Sequence, residues 1–350
     1  MRRLPIYFVL DVSESMVGEN LKKLEDGING IIKTLRQDPN ALETVHVGVI
    51  AFAGVAKTIV PLIEVSSFYS PKLPIGGGTS LGAALNHLMD ELDSSLIKTT
   101  VDHKGDWKPI IYLLTDGKPT DSVGNAISRW KSNYANHATF VAVALGKFAD
   151  VGLLNQITEN AFLLEDTSDE VFKKFITWVT DSVKSQSLSV TDIASENSNL
   201  AKIDENILSL IKDISHLKAV DQDYVIINGR CQNTQLPYLM KYERHSQEIS
   251  HQDFNLSATQ YMVAGCYPIG DDYYEWSTSA QNQLRINTSE LLGSPGCPHC
   301  GNKSAFGMCA CGGIMCLNGP ESAKCPWCNK EVEFSNEGNQ EGFDVNRARG

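Results

Sequence analysis

The sequence lacks a hydrophobic run of the roughly 18–20 residues that a membrane-crossing helix needs. It also lacks a basic segment. Lys and Arg number 30 against 42 Asp and Glu, for a net charge of −12. Residues 1–187, 188–295 and 296–350 carry −4, −7 and −1. A protein that neutralises many phosphates along DNA or RNA is not expected from such a balance. Cysteine is nearly absent until late in the chain: Cys231 and Cys266 are the only two before Cys297, and the other seven lie between Cys297 and Cys328. A secreted disulfide framework spreads its pairs over the fold, so this crowding points to metal. The start, Met1-Arg2-Arg3 followed by Leu4–Leu10, runs straight into Asp11 without a small-residue cleavage site. It reads as a buried first strand, and the protein as cytoplasmic.

What is present supports folding. The 350 residues are 42% hydrophobic and 21% charged, enough for two to three domains, each with its own core. Residues 1–187 alternate apolar strand runs with helical periodicity. Ile6–Leu10, Val45–Phe52, Thr58–Ile63, Ile110–Leu114, Phe140–Leu145 and Ala161–Leu164 read as strands. Leu21–Leu35, Leu81–Leu92, Asn125–Asn136, Val151–Ile157 and Asp169–Ser185 read as helices, the first stopped by Asp38-Pro39-Asn40. The expected fold is α/β, a doubly wound and mostly parallel sheet with ligands at the carboxyl ends of its strands.

Residues 188–220 read as a linker and an amphipathic helix carrying Leu200, Ile203, Ile207, Leu210, Ile211, Ile214 and Leu217. Residues 221–295 read as a small β-rich region, 296–331 as a Cys-rich ribbon and 332–350 as a flexible tail.

Two constellations carry chemistry. In the first, the opening strand delivers Asp11, Ser13 and Ser15 onto one turn, Thr79 follows Gly76-Gly77-Gly78, and Asp116 ends the strand Ile110–Leu114. Two carboxylates and three hydroxyls from three loops at one sheet edge are hard donors, suited to Mg²⁺ with water in the remaining positions. An enzyme reading finds less support. There is no phosphate loop, since Gly76–Gly82 has no lysine, and no second Asp follows Asp11 two residues on. His46, His87, His103 and His137 are scattered without a paired nucleophile.

On these residues, 1–187 resemble a von Willebrand factor type A (VWA) domain, whose metal-ion-dependent adhesion site is Asp-x-Ser-x-Ser, then Thr, then Asp. The resemblance implies a Rossmann-like sheet with Mg²⁺ or Mn²⁺ held by Ser13, Ser15 and Thr79. Asp11 and Asp116 would act partly through water, and a partner's carboxylate would complete the shell. That is binding chemistry rather than turnover. A Mg²⁺-dependent phosphohydrolase is the alternative.

In the second constellation, Cys297-Pro-His-Cys300 and Cys325-Pro-Trp-Cys328 are two Cys-x-x-Cys turns. Together Cys297, Cys300, Cys325 and Cys328 make the expected tetrahedral Zn²⁺ shell, closed and therefore structural. Cys309, Cys311, Cys316 and His299 stay open between exchange with these four, a second site and hairpin positions. Cys231 and Cys266 read as buried packing. The weak local charge argues against a nucleic-acid-binding ribbon, the remaining alternative.

The two constellations in this order resemble the TerY-type proteins of bacterial tellurite- and stress-resistance loci. The resemblance implies a non-enzymatic scaffold acting with a protein kinase and a PP2C-type phosphatase, without nucleic acid.

Overall fold

The computed structural model describes residues 2–146, 151–165, 168–189, 200–201, 209–210, 224–251, 254–278, 284–318, 322–333 and 342–348. It divides into two compact units, Met1–Pro74 with Thr79–Ala219 and Ile75–Gly78 with Val220–Gly350.

In the first unit the strands are β1 (Leu4–Asp11), β2 (Val45–Phe52), β3 (Ala56–Glu64), β4 (Ile110–Thr115), β5 (Thr139–Leu145), β6 (Ala161–Leu164) and β7 (Ser209–Leu210). The helices are α1 (Glu19–Leu35), α2 (Pro39–Thr44), α3 (Leu81–Ser95), α4 (Gly124–Asn133), α5 (Val151–Ile157) and α6 (Asp169–Ser189). The sheet order is β3-β2-β1-β4-β5-β6-β7, parallel throughout except for the antiparallel edges β3 and β7. This is the expected doubly wound, mostly parallel sheet.

Every residue of β1 is buried, as a central strand covered on both faces requires. Tyr7, Val9, Ile111 and Leu113 pack with Leu85, Leu88, Trp130 and Leu154 from α3, α4 and α5. Phe8 and Tyr112 alternate to the other face, their rings stacked 5.7 Å apart. There α1 and α6 pack closely, because a Cβ on Gly27 would lie 2.6 Å from Ile176 Cδ1. Asp38-Pro39-Asn40 ends α1 and also starts α2, since Asp38 accepts the Ala41 amide at 3.0 Å and Pro39 takes the first helical position.

The second unit is β-rich. Its strands are β8 (Tyr224–Arg230), β9 (Pro237–His251), β10 (Phe254–Pro268), β11 (Arg285–Asn287), β12 (Leu291–Leu292), β13 (Ser304–Met308), β14 (Ile314–Leu317), β15 (Ala323–Lys324), β16 (Glu331–Val332) and β17 (Asp344–Asn346), with one short helix, α7 (Tyr273–Trp276). Six strands form one sheet, β12-β10-β9-β8-β14-β13. The Cys-rich segment is therefore continuous with the β-rich region: β14 pairs in parallel with β8, Ile314 opposite Gly229. The core beneath holds Val225, Ile227, Tyr238, Met240, Tyr242 and Ala305.

Three further sequence expectations change. Within the stretch read as an amphipathic helix, Ser209–Leu210 form a strand antiparallel to β6; the rest, beyond 200–201, lies outside the described residues. α6 runs to Ser189, past the expected helix end at Ser185 and into the first two residues read as the linker. The stretch read as a tail carries β17, paired with β11, and Val345 is 2% exposed. Arg347 and Ala348 donate to the Tyr224 and Ile226 carbonyls at 2.8 and 2.7 Å. Hydrophobic patterning misses this because one apolar residue, Val345, makes the anchor.

Ending the chain after Gly342 should remove that anchor and lower the second unit's melting temperature, with a stability loss of about 2–4 kcal/mol. A thermal melt unchanged from the full chain would show that the strand adds nothing.

Candidate metal centres

The oxygen cluster follows from strand register. β1 pairs with β2 from Leu4↔Val45 to Asp11↔Phe52 and with β4 from Ile6↔Ile110 to Leu10↔Leu114. Asp11 and Asp116 thus leave neighbouring strands at the same sheet end. Thr79 is brought to them by mutual hydrogen bonds with Thr120: the Thr79 amide donates to Thr120 Oγ1 at 2.9 Å, and the Thr120 amide donates to the Thr79 carbonyl at 2.8 Å.

Asp11, Ser13, Ser15 and Thr79 are buried at 0%, 0%, 2% and 1% exposure, and Asp116 is half-buried. Asp11 Oδ1 accepts the Ser13 amide at 2.9 Å and its Oδ2 accepts Thr115 Oγ1 at 2.5 Å. The Ser13 and Ser15 hydroxyls lie 3.0 Å apart, and Ser15 donates to Asp116 Oδ1 at 2.7 Å. A Cβ on Gly117 would meet Thr79 Oγ1 at 3.3 Å and Asp11 Oδ2 at 3.8 Å, which places both oxygens about one side chain. All five sequence-predicted residues are therefore tied into one neighbourhood; the participation of Thr115 had no sequence signal beyond its position before Asp116.

The cluster fits a hard cation. Thr79 Oγ1 is buried with no hydrogen-bond partner, a vacancy that costs about 1–3 kcal/mol unless something else satisfies it. Burial pushes the Asp11 carboxyl up from 3.8 to about 6, against hydrogen bonds from Ser13 and Thr115 that favour the charged form. An Asp kept from water, an unpaired hydroxyl and two facing serines are a donor set that a divalent ion relieves.

The nine cysteines are all free thiols, and eight fall into two groups of four. Cys231, Cys297, Cys300 and Cys316 form one; Cys309, Cys311, Cys325 and Cys328 form the other, with all sulfurs of a group within 4.8 Å of one another. This corrects the expectation of a single shell from Cys297, Cys300, Cys325 and Cys328. The two Cys-x-x-Cys turns serve different groups, and Cys231, read as packing, completes the first. His299 is engaged elsewhere, its Nε2 2.7 Å from the Pro237 carbonyl. Cys266 belongs to neither group, and burial pushes its thiol up to about 12.

The sulfur spacing suits zinc. Bonds of ~2.3 Å in a tetrahedron put sulfurs about 3.8 Å apart. Cys300–Cys316 and Cys231–Cys316 measure 3.7 and 3.9 Å, and Cys309–Cys328 and Cys311–Cys325 measure 3.7 and 3.8 Å.

The turns that aim these sulfurs share one backbone design. In three of them the cysteine amide donates to the residue five ahead while its carbonyl accepts the amide four ahead: Cys231 with Leu236 and Gln235, Cys297 with Asn302 and Gly301, Cys325 with Lys330 and Asn329. The residue four ahead has positive φ each time, at 64°, 75° and 60°. The second cysteine of the pair sits three ahead at Cys300 and Cys328, and Thr234 takes that place after Cys231. That substitution hid Cys231 from a Cys-x-x-Cys search. In each group one thiol titrates low. For Cys231, at about 6, burial is outweighed by the Thr234 hydroxyl and the Thr234 and Asn233 amides. For Cys328, at about 7, the Lys330 amide leads.

A doubly wound sheet with this oxygen set at its carboxyl end defines the class of VWA domains, and the von Willebrand factor type A domain model matches residues 6–178. The TerY-C metal binding domain model matches residues 221–350. The chain thus carries a VWA domain followed by a TerY-C metal binding domain. It is 27% identical over 175 residues to Matrilin-2 of Mus musculus, covering 47% of this chain and 18% of that protein. Among solved structures it resembles a von Willebrand factor type A protein from Catenulispora acidiphila, at 16% identity and a TM-score of 0.40, over 52% of this chain and 43% of that one. It also resembles proximal thread matrix protein 1 from the mussel byssus with a zinc occupied MIDAS motif, at 18% identity and a TM-score of 0.37, over 51% and 46%. The chain spans less than half the length of each of these relatives. Among the described residues no helix is long and apolar enough to cross a membrane.

Two outcomes are expected. The raised Asp11 carboxyl stabilises the metal-free fold below about 3.8 and loses that contribution as pH rises through about 6. Magnesium should therefore raise the melting temperature more at about pH 7.5 than at about pH 5, and Asp11→Asn should abolish that difference. Separately, Gln235→Gly should stabilise by about 0.5–1 kcal/mol and Gln235→Val should destabilise, as read by chemical denaturation, because only glycine takes positive φ freely.

Proposed function

We propose that this protein is a non-enzymatic, metal-dependent scaffold whose oxygen cluster holds Mg²⁺, or Mn²⁺, and captures a carboxylate from a protein partner. Ser13, Ser15 and Thr79 are the direct oxygen donors in this reading, and Asp11 and Asp116 act partly through water. The observation that carries it is the buried, unpartnered Thr79 hydroxyl beside a buried Asp11. A cation with an exchangeable position gives an incoming Glu or Asp of a partner a place to bind. The same residues offer no nucleophile–base pair for turnover.

Each four-cysteine group holds one Zn²⁺ in this reading, which ties the turns of the second unit to its sheet. Zinc-bound thiolates fit a reducing compartment, and we place the protein in the cytoplasm. By resemblance to TerY-type proteins, the partners are a protein kinase and a PP2C-type phosphatase in a tellurite- or stress-response complex.

Asp116→Ala, or omission of Mg²⁺ and Mn²⁺ from the wild type without a zinc chelator, should abolish capture of these two partners in pull-downs while circular dichroism stays unchanged. Full capture by the mutant would remove the adhesion-site mechanism. The purified chain should carry about two zinc ions per molecule, where one shell would give about one.

A further inference from the structure

The two sulfur clusters share their chemistry and differ in access. In the first, Cys231, Cys297 and Cys316 are 0%, 4% and 0% exposed and lie in the apolar core with Tyr238 and Ile314, and Cys300 is half-buried, so none of the four is exposed. Two donors cover Cys316 Sγ: the Gln232 amide at 3.3 Å and Asn302 Nδ2 at 3.4 Å, from a side chain that is itself buried. In the second, Cys309 and Cys325 are buried, Cys328 is half-buried and Cys311 is exposed. Distances between sulfurs do not separate the clusters, since both have pairs at 3.7 Å. Access does: a small solute meets Cys311 from solvent, whereas Cys316 lies inside the core. Metal-bound thiolates are deprotonated, so exposure becomes the variable that sets which one reacts.

We propose that Cys311 is an oxidative modification site and that its cluster is the exchangeable member of the pair, surrendering its zinc to a hydroperoxide while the buried cluster keeps its own. The inference rests on the reading that both clusters hold zinc. In the first step the Cys311 thiolate attacks one peroxide oxygen. The S–O bond forms, the O–O bond breaks, and the departing hydroxide takes a proton to become water. Cys325, 3.8 Å away, then attacks the sulfenic sulfur. The disulfide forms as the S–O bond breaks, and the second hydroxide leaves as water. Two thiolates lose two electrons and the peroxide gains them. Two of the four ligands are gone, and Cys309 and Cys328 alone do not retain the ion.

The consequence is local. Opening this cluster frees the turn that places Trp327, whose Nε1 donates to the Ile314 carbonyl at 2.7 Å, and the short pair β15–β16. The six-stranded sheet stays pinned through Cys231 on the β8 side and Cys316 on β14.

The test uses the full-length, zinc-loaded chain and hydrogen peroxide at about one equivalent, with a chromogenic chelator reporting free zinc. Zinc content is measured first. A chain that starts with about one zinc defeats the two-site reading, and this inference with it. From about two, peroxide should release about one, with peptide mapping finding the Cys311–Cys325 disulfide and thiol reductant plus zinc restoring the start. Isotope-coded alkylation without peroxide should label Cys311 before Cys231, Cys297 and Cys316. Release of both ions together, release of neither, a disulfide among Cys231, Cys297, Cys300 and Cys316, or equal alkylation rates would overturn the proposal.

Discussion

The first unit turns on a carboxylate buried where a central strand ends. Asp11 is 0% exposed at the end of a strand with no solvent-facing residue. A charge in that position is expensive, and four hydrogen-bonding or cation-ready neighbours answer it: Thr115, Ser13, Ser15 and Thr79. Their placement depends on the β1–β2 and β1–β4 registers, since a slip of one residue would turn Asp11 to the other face. Much of the hydrophobic core, from Tyr7 to Trp130, has the consequence of holding those registers fixed.

The second unit meets a different constraint. Its sulfur clusters bring together segments far apart in sequence, setting Cys231 beside Cys316. Because Cys297, Cys300 and Cys316 gather around Cys231, which lies outside the Cys-rich segment, and β14 pairs with β8, that segment is built into the sheet instead of hanging from it as a separate ribbon. The turns are interleaved: between the two Cys-x-x-Cys pairs lie Cys309 and Cys311 of one cluster and Cys316 of the other. Each cluster thereby restrains the loops that present the other.

The α/β order of the first unit was legible because both helical and strand periodicities are strong there and the connections are short. The oxygen cluster was legible for a related reason: Asp11 and Asp116 sit at the ends of neighbouring parallel strands, where ends converge, and Thr79 is marked by the glycine run before α3. The second unit was less so. Val345 is one apolar residue in a polar stretch, and the strand at Ser209–Leu210 lies inside a pattern with helical period, so neighbours in space override the local signal.

The residue types alone determined that this chain carries hard oxygen donors in one half and thiolates in the other. Spacing alone also showed that Cys297–Cys300 and Cys325–Cys328 are turns able to present two sulfurs each. Which turns bring their sulfurs together was decided only by tertiary structure. A two-cysteine turn satisfies half a tetrahedron whatever its partner, and the other half comes from whichever sulfurs the sheet brings within about 3.8 Å. Here the parallel pairing of β14 with β8 sets Cys316 beside Cys231, and no interval along the sequence encodes that approach.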